Sequence, residues 1–239
     1  MRLIKHLTTL ALFSLVIQAS IQQTRGREEG FANQPGAGIN ATTRSQGKIS
    51  ILNFDARSLP GEIRYQGKIV MGARWTDGNG ENILLLTQTG KFPSKGKCVA
   101  DGERCFDAEV YAYNYVRKDG DVSLLWMITD FKRDCSFDLY AGFVKEALFI
   151  TDLDSNGVAE SLFLYKLSCR SDVSPAVLKL IMREGATKYA IRGTTKLAGD
   201  LGGGEMNIDP AFKQAKPVLR NFAVEKWNKY VTKDDFEQF

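Results

Sequence analysis

Histidine is nearly missing from this chain: the single copy is His6, inside an apolar N-terminal segment. Once that segment is removed, no imidazole remains. This excludes a Ser-His-Asp triad, a Cys-His pair, an H-E-x-x-H zinc site and a histidine general base. Any catalysis would have to run on carboxylates, Lys, Tyr, Arg or a bound ion. Cysteine is scarce, with four copies and no C-x-x-C spacing, which speaks against a structural zinc site. The one marked apolar run, Leu7 to Ile17, is too short to span a bilayer comfortably. Excess charge is missing too: 32 basic residues face 28 acidic ones, and removing Arg2 and Lys5 leaves 30 against 28. No basic stripe stands out along the chain, so nucleic acid is not an expected partner.

What is present at the N-terminus is a secretory pattern. Arg2 and Lys5 precede the short apolar run, and Gln18-Ala19-Ser20 follows it. We read residues 1–19 as a signal peptide, with cleavage after Ala19. No Cys follows, so a bacterial lipid anchor is not expected there, and no transmembrane segment is expected after cleavage. Residues 20–47 are polar and Gly-rich without a period, and read as a flexible linker. Asn40-Ala41-Thr42 within it is formally a glycosylation sequon. A single β-rich domain is expected over 48–239, with a periplasmic or secreted location. An even cysteine count in an exported chain predicts disulfides. Cys98, Cys105, Cys135 and Cys169 allow three pairings; the turn-forming segment between Cys98 and Cys105 favours that local bridge and leaves Cys135 for Cys169.

Strand signals dominate the folded part. Ile49–Phe54, Gly67–Trp75, Ile83–Thr89, Val110–Arg117, Val122–Phe131, Leu148–Thr151, Ser161–Leu167, Val177–Arg183 and Lys188–Ile191 are short, apolar or aromatic, and bounded by turn residues. Asp119-Gly120 is a strong hairpin signal, and Glu184-Gly185-Ala186 marks another. Thr-Asp recurs at strand ends in Trp75-Thr76-Asp77, Ile128-Thr129-Asp130 and Ile150-Thr151-Asp152, a weak echo of a propeller repeat. After Asp209-Pro210, read as an N-cap and N1 pair, Phe212, Ala215, Leu219, Phe222, Ala223, Trp227 and Tyr230 follow helical spacing, interrupted at Pro217. The fold expected is mainly β, an antiparallel hairpin meander, sandwich or propeller-like, with a C-terminal helix. Gly202-Gly203-Gly204 lacks the G-K-[ST] of a phosphate loop and reads as a turn.

The densest chemistry lies in Asp152-Leu-Asp154-Ser-Asn156-Gly157-Val158-Ala-Glu160. Oxygen-bearing side chains alternate, a Gly turns the backbone, and a carboxylate follows. A hard cation takes six to eight such oxygens. Phe163 stands where an EF-hand needs its bidentate Glu, and the flanks read as strands. The loop resembles the calcium loops of integrin-type β-propellers, and on that likeness Asp152, Asp154, Asn156, the Val158 carbonyl and Glu160 would hold a structural Ca²⁺. A solvated Asp/Asn/Gly hairpin without metal is the other reading.

Longer motifs extend over about 70–239: Ala73-Arg-Trp75-Thr-Asp77 with Gly80-Glu81-Asn82, Tyr111-Ala-Tyr113, Asp130-Phe131, Ile150-Thr-Asp-Leu-Asp154 with Glu160, and Asp172-Val-Ser-Pro175. In this order they resemble a small family of exported bacterial proteins associated with surface polysaccharide biosynthesis. The resemblance implies a role at the envelope, near a glycan, and carries over no catalytic residue. Two functions remain open. One is a non-enzymatic, ion-stabilised β module that binds a glycan or envelope protein, with Trp75, Tyr111, Tyr113 and Tyr115 as candidate stacking residues, although the alternation Tyr111-x-Tyr113-x-Tyr115 more often marks one face of a buried strand. The other is a carboxylate-based glycan-active enzyme using a pair among Asp77, Glu81, Asp130, Asp152 and Glu160.

Overall fold

The computed structural model describes residues 48–96, 98 and 104–232. The expected signal peptide and linker, with His6 and the sequon, lie outside the described residues. Among the described residues eleven strands follow in order: β1 (Ser50–Leu52), β2 (Lys68–Asp77), β3 (Gly80–Gln88), β4 (Phe92–Pro93), β5 (Phe106–Lys118), β6 (Asp121–Cys135), β7 (Asp138–Thr151), β8 (Glu160–Arg170), β9 (Val177–Glu184), β10 (Thr187–Thr194) and β11 (Met206–Ile208). They are followed by the one-turn helix α1 (Ala211–Gln214) and the longer α2 (Pro217–Tyr230). Sheet A runs β1-β2-β3-β5-β6, with β4 beside the start of β5; sheet B runs β11-β10-β9-β8-β7. Every pairing is antiparallel. Of the architectures the pattern allows, this is the sandwich.

The chain forms four layers because both sheets bury both faces. Between the sheets lie Trp75, Leu84, Leu86, Val110, Trp126, Phe143, Phe163 and Tyr165. Trp126 stacks on Phe163, and Phe143 meets both Phe163 and Tyr165 edge-on, the offset and T-shaped arrangements that aromatic quadrupoles favour. On the outer face of sheet B, Leu162, Leu164, Leu180, Met182 and Ile191 receive Phe212, Leu219, Trp227 and Tyr230 of the helices. The helical spacing therefore reads correctly as a buried stripe. Asp209, however, does not cap α1. Its carboxylate pairs with Arg192 at 3.0 Å, and only its backbone oxygen meets the Phe212 N–H.

The outer face of sheet A is covered by the segment between β1 and β2. Ile63, with Phe54 and Leu59 beside it, packs over Ile83, Leu85, Tyr111, Tyr113 and Tyr115. The Tyr113 and Tyr115 hydroxyls accept the N–H groups of Gln66 and Arg64, each at 3.2 Å, and Tyr115 returns a bond to the Arg64 carbonyl. Trp75 is 2% exposed and Tyr111, Tyr113 and Tyr115 are 4–7% exposed. These aromatics therefore form no stacking platform: the alternation Tyr-x-Tyr-x-Tyr marks one buried strand face, as the other reading has it, and the strap residues cover it.

Beyond the short strands β4 and β11, which the sequence reading did not contain, β7, β6 and the Thr-Asp echo differ from it. β7 begins ten residues before Leu148. Its register to β8 jumps between Phe143 and Leu148, and Glu146 has φ +58°, so a bulge erases the alternation that would announce a strand. β6 continues past Asp130 to Cys135, so the Thr129-Asp130 echo sits inside a strand. The Thr-Asp echoes at 77 and 152 are not blades of a propeller; they end β2 and begin the β7–β8 loop, and those two turns dock on each other, with Gly78 N–H donating to the Gly157 carbonyl at 2.7 Å.

Two disulfides bond the cysteines, Cys98 to Cys105 and Cys135 to Cys169, with Cα separations of 5.5 and 5.7 Å. These are the two pairs favoured by spacing. The second ties the end of β6 in sheet A to the end of β8 in sheet B. Among the described residues no helix is long and apolar enough to cross a membrane.

Candidate metal centre

The acidic loop closes at one end of the sandwich, between β7 and β8. Ser155 at φ +55° and Gly157 at φ +80° turn the backbone, and at Gly157 the lack of a Cβ makes that conformation inexpensive. The Asp152 carboxylate accepts the N–H groups of Asn156 at 3.0 Å and Gly157 at 3.3 Å, and Asp154 accepts the Asn156 N–H at 3.1 Å. These are the local Asx bonds that Asp favours in turns. From the partner turn, Asp77 accepts the Ala159 N–H at 3.1 Å and the Trp75 indole N–H at 3.0 Å. The loop is therefore clamped from both sides.

This geometry brings Asp152, Asp154 and Glu160 together: one carboxylate oxygen from each lies within 4.8 Å of the others. Glu160 is the most constrained. It opens β8 and is fully buried. Its Oε2 accepts the Leu153 N–H at 2.9 Å and the Thr151 hydroxyl at 3.0 Å, while Oε1 is buried with no hydrogen-bond partner among the described residues. Burial pushes this carboxyl from its ordinary 4.5 up to about 7, against the two hydrogen bonds, and the Asp154 charge adds to the rise. A buried carboxylate oxygen without a partner is costly, and a cation is the simplest group that would satisfy it.

Asn156, another expected ligand, behaves differently. Asn156 turns its amide N–H₂ toward Asp154 Oδ2 at 3.2 Å and Glu184 Oε1 at 2.5 Å, and its Oδ1 accepts the Val158 N–H at 2.7 Å. In this arrangement Asn156 damps the carboxylate repulsion by donating to it, where a ligand role would need its oxygen.

Two residues that the sequence reading missed complete the surroundings. Glu184 ends β9 directly opposite Glu160 in the ladder, so the sheet register adds a further carboxylate. Lys216, just before α2, places Nζ 2.8 Å from Asp154 Oδ2, with the Asp154 side chain only 4% exposed. The hydrogen bond to Asp154, reinforced by the charges of Asp154, Glu184 and Asp152, raises the Lys216 ammonium above its usual range. Lys216 thus serves as an internal counter-ion for part of the cluster. No local motif links position 216 to position 154; only the packing of α2 on sheet B does.

The remaining carboxylates considered for catalysis are held apart from this group. Glu81 pairs with Arg74 at 2.6 Å and Arg117 at 3.6 Å. Asp130 accepts the Tyr165 hydroxyl at 2.8 Å and Lys179 Nζ at 2.5 Å.

Comparison with known proteins returned no matching family model, no matching curated protein and no matching solved structure.

Proposed function

We propose that this chain is an exported, non-enzymatic β-sandwich module that binds a glycan or an envelope protein, with its Asp152–Glu160 loop stiffened by Ca²⁺. The observation that carries the ion is the convergence of three carboxylates on a buried Glu160 whose Oε1 has no protein partner. Asp152, Asp154 and Glu160 fit a hard cation by donor type, and a cation would supply charge neutralisation and a fixed loop rather than an open position for chemistry. Lys216 would share or yield Asp154 when the ion enters. Two disulfides support an oxidising compartment, and the ordered motifs resembling exported polysaccharide-associated proteins support an envelope setting.

The enzymatic alternative gains one point, a carboxyl raised to about 7 beside other carboxylates. It loses more than it gains, because Glu160 is fully buried and offers a glycosidic oxygen no approach. The binding module is therefore the reading we adopt.

Thermal melting in calcium and in chelator tests the ion. Wild type should melt higher in calcium; at 100 times the dissociation constant the gain is about 2.7 kcal/mol. Asp152→Ala should lose that calcium-dependent increment. Identical melting of the wild type in both conditions would reject the ion.

A further inference from the structure

Opposite residues on an antiparallel ladder share a face, and like charges placed there repel. The β9–β10 hairpin does this twice on one face: Arg183 stands opposite Lys188, and Lys179 stands opposite Arg192. Between the pairs lie Ile181 and Ala190, both buried in the inter-sheet core. The four cations therefore occupy the inner face of sheet B. Sheet A ends at β6, whose other edge pairs with no strand among the described residues. β6 reaches across to β9 through Lys179–Asp130 and through the Arg183 guanidinium, which lies 4.9 Å from the centre of the Trp126 ring. Beyond that contact, Lys188 and Arg192 are exposed. The result is a ledge, with β6 as its wall and the cationic strand face as its floor.

The two charge pairs differ in what answers them. Lys179 has Asp130 at 2.5 Å and Arg192 has Asp209 at 3.0 Å. Arg183 and Lys188 have no acidic partner among the described residues. Arg183 donates to the Ala186 carbonyl at 2.8 Å and lies over the Trp126 ring, while its buried Nε has no hydrogen-bond partner among the described residues. Burial lowers Lys188 below the usual lysine range, and the charges of Arg192, Arg183 and Lys179 lower it further, against the opposing charge of Asp209. Arg183 and Lys188 thus face each other without an ion pair among the described residues, which leaves a place for an anion from outside.

We propose that this ledge binds an acidic saccharide, a carboxylate-bearing sugar chain whose acid group sits between Arg183 and Lys188. This deepens, and rests on, the glycan-binding reading above. The rest of the floor explains why a saccharide fits better than a uniformly anionic chain. Asp130 and Asp209 present carboxylates along the same ledge, which repel further anions but accept hydrogen bonds from hydroxyls. The Arg183 guanidinium lies over the buried Trp126 ring, and Asn207, opposite Arg192 on β11, is exposed and can donate or accept. An acid group at one end and hydroxyls along the rest is the complement of this arrangement.

The test is titration of the full folded protein with a tetramer of galacturonic acid, a neutral maltotetraose and a tetraglutamate peptide, read by Trp126 indole N–H shifts in NMR. The galacturonate tetramer should bind, more weakly as salt rises. Lys188→Glu should weaken it by about tenfold or more, as loss of a close charge pair does, while Lys188→Arg should keep it. Lys188→Glu also removes a like-charge pair, so it should melt no lower than wild type, which separates lost binding from lost fold. Unchanged binding by Lys188→Glu would overturn the acidic-sugar site. Equal binding of the neutral tetramer would also overturn it, leaving the glycan-module reading standing. Tighter binding of tetraglutamate would reassign the ledge to an acidic peptide, and failure of both saccharides would sink the site and the glycan reading together.

Discussion

Glu160 carries the sharpest local conflict in the molecule: a carboxyl held dry among other carboxylates, with one oxygen unanswered. Its raised pKa makes stability depend on pH in a definite direction. In the folded state it keeps its proton to about pH 7, whereas an unfolded chain releases it near 4.5. Between those values a rise in pH draws protons preferentially from the unfolded chain, so folding weakens until the folded group has also ionised. The full effect is at most about 3 kcal/mol. In chelator, the melting temperature of wild type should fall from pH 5 to pH 8, and Glu160→Gln should flatten that slope. Calcium should flatten it as well, because it stabilises the ionised form. A wild-type profile that rises across this range in chelator would contradict the assignment.

At the scale of elements, the helix α2 and the β7–β8 loop hold each other. Lys216 pairs with Asp154 at one end of α2, and at the other end the Tyr230 hydroxyl donates to the Glu146 carbonyl in the β7 bulge at 2.7 Å. The bulge thus presents a backbone oxygen to the helix that a regular strand would use in its ladder. Lys216 and a bound cation compete for the same carboxylate. Replacing Lys216 by Met should therefore lower the melting temperature in chelator and tighten calcium binding several-fold, measurable by calorimetric titration. If Lys216→Met weakened calcium binding instead, the lysine would be supporting the site and competition would be wrong. The strap over sheet A is built by shape: the Phe54 ring lies on Gly72, where a Cβ would come within 2.2 Å of it. That contact, with the Tyr hydroxyl bonds, is what removes three tyrosines from solvent.

For the whole molecule, one disulfide joins the two sheets, near the β6–β7 corner. Cys135–Cys169 closes a separation of 34 residues and Cys98–Cys105 one of 7. Chain entropy alone then assigns about 4 kcal/mol to the first and about 2 kcal/mol to the second. Replacing Cys135 and Cys169 by Ala should lower the urea midpoint clearly more than the same change at Cys98 and Cys105. Equal losses would show that strain or residual structure, rather than loop closure, sets their value.

The strands, the hairpins and the C-terminal stripe were legible because they are local. The short apolar run Val177–Arg183 reports a strand, Asp119-Gly120 takes φ +54° and +92° as a tight hairpin needs, and the spacing from Phe212 to Tyr230 reports one helical face. The turn-rich segment between Cys98 and Cys105 was enough to favour their pairing. Asp152, Asp154 and Glu160 were legible as a group because one short loop carries them. What covers a face is not written in that face. The burial of Tyr111, Tyr113 and Tyr115 depends on a strap 45 or more residues away, and the bulge hid the first half of β7 by breaking the very period used to find strands. Glu184 and Lys216 joined the acidic loop through sheet register and helix packing. The four cations of the ledge, two on each arm of a hairpin, look like ordinary solvated charges until the register sets them opposite one another. Local residue pattern determined the elements and the nearest-neighbour chemistry; only the tertiary structure decided which charges meet, because electrostatic contact depends on distance in space and not along the chain.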